Sequence, residues 1–350
     1  MKSRLVKTAA ITLSILLSLL VFELVLRLTT PQSFLQGNFN NENYPWIVHD
    51  PILGWINKAG YEDKNVRINS LGFHGEEVNT AKPPGTIRIA TLGGSITFGM
   101  WESWPGLTEF DNYPDTVREL LESAGLDRIE VINAGVIGYS SSNGFRLLKT
   151  KVLDLDPDII TVKFGFNDFS RVNDPEFQIE EPSNKIVSWI LYNLDNWRTV
   201  RLVAHIGQRL SAGKYESKKH RVTKPEFKKN LELFIKEARE RDIRILFIDS
   251  PISGQEILPL KANKFYTEYT GAGNIEELRE MHNDYQAILK SVAKAENVPI
   301  LETKEQFNEL GHTVFSRNDL IHPNERGAQL IGELLYQKFQ ELGWLNENQN

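Results

Sequence analysis

The sequence predicts an α/β fold in which a parallel, five-stranded sheet is covered by helices on both faces. Two observations predict it. Short apolar runs rich in β-branched residues alternate with segments of helical period, and the polar residues of chemical interest follow the runs rather than lie within them.

Residues 87–92 (IRIATL) form the first run, closed by Gly93-Gly94, and residues 129–133 (IEVIN) form the second. Residues 159–164, 243–248 and 298–301 complete the five. Between them, residues 113–124 place Val117, Leu120 and Leu121 on one helical face, and residues 144–153 read as a further helix. Residues 225–241 carry Phe227, Leu231, Phe234, Ile235 and Ala238 at helical spacing. Residues 275–296 are also helical, and residues 325–342 close the fold with Ala328, Ile331, Leu334, Leu335 and Phe339 inward. Ligands of such sheets gather beyond the carboxyl ends of the strands. The residues found there are Ser95 after the first strand, Gly138 after the second, and Asn167 and Asp168 after the third, with Asp319 and His322 past the fifth.

The composition narrows the chemistry. A chain of 350 residues with 41% hydrophobic and 25% charged residues can build a sizeable core, as one or two domains. A net charge of −6 without a basic block gives no reason to expect nucleic acid as a partner. The absence of cysteine excludes disulfides, thiolate nucleophiles, Cys-based zinc sites and a lipid-anchor cysteine. No cofactor and no metal are expected.

The N-terminus gives the expected location. Lys2, Arg4 and Lys7 precede an apolar stretch over residues 8–28, long enough for the roughly 20 residues that cross a bilayer. Glu23 and Arg27, four apart, share one helix face near the far interface, where they can pair or snorkel. Basic residues on the near side predict a single-pass anchor with a cytoplasmic N-terminus and an extracytoplasmic remainder. A cleaved signal peptide is the alternative, but no A-x-A-like site follows the apolar run. The expected organisation is an anchor over residues 1–29, an irregular preamble over 30–85 with short extended pieces such as 66–69, and the α/β domain over 86–345. That domain carries an insertion at about 171–224.

Four blocks carry the chemistry. Gly93-Gly94-Ser95 directly after a strand is a tight turn that presents Ser95 at the sheet's edge, with its amide aimed at developing charge if a helix starts there. The run G-G-S-I-T-F-G is neither the Walker pattern nor G-x-G-x-x-G, which disfavours a nucleotide site. Asp319 and His322 are spaced so that one carboxylate can hold an imidazole from the same loop. Alternatively, His322-Pro323-Asn324 is a plain capping turn. Asn167, in Gly165-Phe166-Asn167-Asp168, offers an amide to an oxyanion, or merely an Asx turn. Gly138 ends Asn133-Ala134-Gly135-Val136-Ile137-Gly138 and lets its N–H approach a substrate oxygen, or is another loop glycine.

Taken in order, each after a strand, the four blocks resemble the SGNH (GDSL-like) hydrolase family over residues 86–342. The resemblance implies a flavodoxin-like three-layer α/β/α sandwich and a Ser95–His322–Asp319 triad, with the Ser95 amide, the Gly138 amide and the Asn167 side chain as oxyanion donors. The family often has Asp before the nucleophile, where this chain has Gly94, which bears on local rigidity rather than reaction class. Asp50-Pro51 to Gly54-Trp55 and Arg67 to Phe73 further resemble the preamble of membrane-anchored bacterial members, often linked to envelope polysaccharides.

Three features stand outside the blocks. Trp101 and Trp104 could line an acyl or sugar subsite or simply pack their loop. Residues 186–210 read as one amphipathic helix able to cover the site, rest on the membrane or pack in the core, with Trp189 and Trp197 among its residues. Lys163 is a cation among apolar strand residues, for which the sequence offers no reason.

The expected function is ester hydrolysis through an acyl-enzyme on Ser95, with O-acetyl groups of an extracytoplasmic polysaccharide as the first-named substrate. Rivals with the same residues are a lipase, a thioesterase and an O-acyltransferase, which must exclude water. A rival of another class is a non-catalytic carbohydrate-binding or assembly component of an envelope complex.

Overall fold

The computed structural model describes residues 2–30, 44–99, 112–171, 184–211, 220–254 and 258–345; Trp101 and Trp104 lie outside them. In chain order the first elements are α1 (Lys2–Thr29), β1 (Ile47–Asp50), β2 (Gly54–Asn57), β3 (Ile87–Gly93), α2 (Ser95–Phe98), α3 (Tyr113–Ser123), β4 (Ile129–Gly135), α4 (Ser141–Leu147) and β5 (Ile159–Lys163). There follow α5 (Lys185–Asn193), α6 (Arg198–Ser211), α7 (Lys224–Arg239), β6 (Arg244–Ile248), α8 (Leu260–Thr270), α9 (Ile275–Ala295), β7 (Ile300–Leu301), α10 (Lys304–Leu310) and α11 (Glu325–Glu341). The contacts group them into two units, Met1–Ile56 with Pro175–Tyr215, and Asn57–Asp174 with Glu216–Asn350.

In the larger unit five parallel strands lie in the order β4-β3-β5-β6-β7. Counted along the chain that order is 2-1-3-4-5, the flavodoxin-like winding, whose switch point falls between the first and third strands. Both strands at the switch point are buried along their whole length, which explains their continuous apolar character. Ile87, Ile89, Ile129, Ile159, Leu246 and Ile248 pack with Val117 of α3 and with Ile331, Leu335 and Phe339 of α11 in one core. In a second core, Phe145 of α4 and Phe164 meet Phe234 of α7 at ring distances of 5.4 and 6.0 Å. Phe227 of α7 meets Tyr285 of α9 at 5.2 Å. The larger unit is therefore a three-layer α/β/α sandwich with a central parallel sheet of five strands.

Local details depart from the periodicity. The helix predicted over 144–153 starts at Ser141, widens to a π-turn over Leu148–Val152 and tightens over Leu153–Leu155, where Asp156 takes a left-handed φ of 52°. The strand predicted over 298–301 shrinks to Ile300–Leu301 because the Val298 amide donates instead to the Ala293 carbonyl at 2.8 Å, closing α9 through left-handed Asn297. Residues 57–85 are less irregular than expected. Val66, Ile68 and Phe73 are buried, and the Asn69 carboxamide accepts from the amides of Leu71 and Phe73 at 3.0 and 2.9 Å. The next residue, His74, donates its amide to Asn133 of β4 and sets its ring 4.6 Å from that of Phe98.

In the smaller unit, α1 includes Val6–Thr29, a stretch of 24 residues whose most apolar part has a mean hydropathy of 2.5, long and apolar enough to cross a bilayer. Its Ser14 and Ser18 hydroxyls donate to the carbonyls of Ala10 and Ser14 at 2.9 and 2.8 Å, so neither needs water. Glu23 and Arg27 pair at 2.7 Å. The single helix expected over 186–210 is in fact two. The break is set from outside the segment: Glu23 accepts the first amides of α6, Arg198 at 3.1 Å and Thr199 at 2.9 Å. A carboxylate on unpaired N-terminal amides stabilises a helix start, and a window on residues 186–210 cannot reveal it.

Packing in the larger unit is tight where α2 crosses the ends of β3 and β4. A Cβ at Gly135 would fall 2.3 Å from the Phe98 nitrogen and 2.7 Å from its Cα, both backbone atoms that cannot swing aside. Gly135→Ala should therefore destabilise the fold by about 1–3 kcal/mol, the usual cost of overpacking. A lower urea midpoint at unchanged m would register it.

Candidate active site

The geometry begins with β3. The strand ends at Gly93, and Gly94 leads into the single turn of α2, whose first residue is Ser95. Only glycine fits at 93, because a Cβ there would lie 1.9 Å from the Thr97 hydroxyl. Gly99 closes the turn at φ 98°, donating its amide to the Ser95 carbonyl at 2.9 Å. Ser95 thus stands beyond the carboxyl end of the sheet, and its own amide, in the first turn, has no acceptor within the helix.

Asp319 and His322 arrive from the other end of the unit. Left-handed Asn318 (φ 63°) and the Ser316 amide donating to the His322 carbonyl at 2.9 Å fold their loop back on itself. The His322 Nε2 lies 2.8 Å from the Ser95 Oγ, and its Nδ1 lies 2.8 Å from an Asp319 oxygen. The other Asp319 oxygen accepts the amides of Ile321 and His322, each at 2.8 Å, and the Tyr266 hydroxyl at 2.6 Å. Burial alone would raise the Asp319 carboxyl; the adjacent His322 and the donated hydrogen bonds outweigh it and hold the group below the usual carboxylate range. The capping alternative coexists with this arrangement, since Asn324 caps α11 by accepting the Gly327 amide at 3.1 Å.

Asn167 borders the same turn. Its Nδ2 donates to the Tyr139 carbonyl at 3.1 Å, and a Cβ on Gly94 would fall 3.0 Å from that Nδ2. The room beside Gly94 is thus limited by the Asn167 amide. Gly138, left-handed at φ 76°, immediately precedes Tyr139. The structure therefore joins Ser95, His322 and Asp319 in one hydrogen-bonded chain, with Asn167 beside the Gly94–Ser95 turn and Gly138 next to its acceptor.

Several residues of the site escaped the sequence reading. Tyr266 and Tyr269, three apart on α8, hold its two ends: Tyr266 donates to Asp319, and Tyr269 donates to the Asn167 carboxamide oxygen at 2.8 Å. Helix α8 buries only Ala262, Tyr266 and Thr270, a stripe too thin and polar to register as apolar periodicity. Gly271, in the left-handed C′ position, is the signal that could have located its end. Arg221 donates to the Gly138 carbonyl at 2.6 Å and to Asn143 at 2.8 Å. It gets there because residues 221–222 run alongside the chain after β5, the Arg221 and Val222 amides donating to the Ser170 and Asp168 carbonyls. Lys163 gains its explanation: its ammonium donates to the Asp249 carbonyl and to the Ser250 hydroxyl at 3.0 Å, fastening the chain after β6. Burial brings it down to about 8. Beneath the rim, fully buried Asp168 accepts the Ser141 hydroxyl and amide and, at 3.0 Å, the Gly165 amide.

A model of the GDSL-like Lipase/Acylhydrolase family matches residues 91–330. A Bacillus subtilis (strain 168) protein named uncharacterized lipoprotein YqeF is 24% identical over 263 residues, covering 70% of this chain and 86% of its own. A lipase/acylhydrolase structure from Enterococcus faecalis is 19% identical, covers 76% of this chain and 100% of that one, and has a TM-score of 0.48. A catalytic mutant of Axe2, an acetylxylan esterase from Geobacillus stearothermophilus, is 18% identical, covers 75% and 96%, and has a TM-score of 0.45.

Two expectations follow from the site. A hydrogen bond to a charged group contributes about 1.5–3 kcal/mol, so Tyr266→Phe should lower kcat for a simple ester about 10- to 100-fold with little change in KM. The second concerns Asp168, whose carboxyl burial pushes up to about 6 against the hydrogen bonds from Ser141 and Gly165 and the charge of Arg221. An acid with a raised folded pKa is better protonated in the native state. Its stabilising contribution is full below an unfolded value of about 3.9 and is lost as pH rises through about 6. From pH 4 to 7, urea unfolding should show the chain losing up to about 3 kcal/mol relative to Asp168→Asn.

Proposed function

Because the chain belongs to the GDSL-like lipase/acylhydrolase family, we propose that it is a serine esterase whose acyl-enzyme forms on Ser95. The observation that carries the reading is the unbroken path from the Ser95 hydroxyl through His322 to Asp319, with both links at 2.8 Å. His322 Nε2 takes the hydroxyl proton as the Ser95 Oγ bonds to the ester carbonyl carbon. Asp319, held below the usual carboxylate range, fixes the ring through Nδ1 and stabilises the imidazolium that forms. The oxyanion is assigned to the amides of Ser95 and Gly138 and to Asn167, whose Nδ2 spends one N–H on Tyr139 and keeps a second for substrate. His322 returns the proton to the alcohol oxygen as the ester C–O bond breaks. Water, deprotonated by the same nitrogen, then releases the acid and restores the Ser95 hydroxyl.

The substrate we propose is an O-acetyl ester of an extracytoplasmic polysaccharide. It is supported by the apolar helix and the basic residues Lys2, Arg4 and Lys7 at its N-terminal end, a pattern of anchors whose N-terminus stays in the cytoplasm. A polymer outside the cell is what a domain on the far side of such an anchor would meet.

A fluorophosphonate probe should label the chain, and Ser95→Ala should abolish the label. A folded chain that takes no label would instead be the binding or assembly component. Asp319→Asn should keep the fold and lose turnover on the order of 10⁴-fold, as an analogous change does in a serine protease. Among acetyl, butyryl and long-chain esters the acetyl ester should have the highest kcat/KM; a long-chain preference would replace the polysaccharide with a lipid.

A further inference from the structure

We propose that α5 and α6 lie in the headgroup–acyl boundary of the bilayer crossed by α1, so that the smaller unit grips the membrane surface as well as spanning it. This rests on the membrane-anchored reading and goes beyond it: the partner is a phospholipid surface, and the contact is made by chain remote in sequence from the span.

The first ground is an unusual exposure of apolar side chains. Helix α5 buries none of its residues, although Ile186, Val187 and Trp189 are 69, 42 and 58% exposed. On α6, Val203, Ile206 and Leu210 follow one another at helical spacing and are 65, 49 and 76% exposed. Two neighbouring helices with open apolar faces are costly in water and suited to a bilayer interface, where tryptophan is also favoured.

The second ground is where α6 is held. Glu23 of α1 accepts the Arg198 amide, the Thr199 amide and the Thr199 hydroxyl at 3.1, 2.9 and 2.8 Å. Arg198 in turn donates to the carbonyls of Leu26, Arg27 and Thr30. The stretch Val6–Thr29 has 24 residues. At 1.5 Å per residue that is about 36 Å, against a hydrocarbon thickness of about 30 Å. Glu23, six residues before the stretch ends at Thr29, is therefore about 9 Å of helix from its end. With the excess of about 6 Å shared between the two ends of the span, Glu23 lies about 6 Å inside the hydrocarbon edge, within the roughly 5–10 Å to which interfacial helices bury their apolar faces. The start of α6 is thus tied to the span at boundary depth. Arg201 of the same helix pairs with Asp195 at 3.2 Å and with Asp50. Continuity with a lipid-facing helix is what selects lipid over a protein partner.

The chain has no cysteine, so each introduced cysteine carries a unique spin label. The full chain would be reconstituted in phosphatidylcholine–phosphatidylglycerol vesicles, and label accessibility to oxygen and to a nickel chelate measured. Leu17→Cys on α1 and Lys236→Cys on α7 serve as deep and aqueous references. Labels at Trp189→Cys, Val203→Cys and Ile206→Cys should be oxygen-rich, with nickel access at least about fivefold below that of Lys236→Cys, as boundary burial requires. Nickel access equal to that of Lys236→Cys, with Leu17→Cys still deep, would overturn the proposal and leave the anchor intact. Labels shielded from both reagents would replace lipid with a protein partner or second copy. A water-accessible Leu17→Cys would remove the anchor and the proposal together.

Discussion

The Asp319 carboxylate is only 6% exposed and accepts hydrogen bonds from four directions: the His322 ring, two amides of its own loop and the Tyr266 hydroxyl. A buried charge so satisfied has no alternative position of comparable energy. The His322 ring is consequently pinned at one nitrogen, and the other can face only one place. That place is the hydroxyl of Ser95, 227 positions earlier in the chain. The rest of the site follows from fixing this one group.

The opposing requirement is that Ser95 stand still. It stands on a helix of four residues, too short to be stable by itself. Its rigidity comes from contact: Gly93 and Gly135 let the turn sit directly on the strand ends, and Thr97 meets the Tyr113 hydroxyl at 3.0 Å. The His74 ring packs on Phe98 from the segment ahead of the sheet. A short helix wedged in this way places its first residue more reproducibly than a loop would. It also explains why the family's frequent Asp can be absent at Gly94: the neighbouring space is bounded by Asn167, itself held by Tyr139 and Tyr269.

The same logic of a carboxylate serving as anchor recurs in the smaller unit. Glu23 binds Arg27 within its own helix and caps α6 from 175 positions away. Of the pair expected on one face of the apolar helix, half does something the spacing could not announce.

What the sequence determined by itself was whatever depends on neighbours along the chain. Apolar runs of strand length alternating with amphipathic helices specify a parallel sheet. The turn glycines at 93 and 94 and the three-residue spacing of Asp319 and His322 then mark where polar groups leave it. The strands, the principal helices and the set of rim residues were legible for that reason. Tertiary structure decided whatever depends on residues distant in sequence. It decided that α8, thinly apolar along its length, carries Tyr266 and Tyr269 to opposite ends of the site. It decided that Arg221 returns from the insertion to the Gly138 carbonyl, that Lys163 fastens the chain after β6, and that residues 186–210 break in two. Each of these is a polar interaction closed across a long loop. Periodicity reports which face of an element is buried, but not which distant group it will meet.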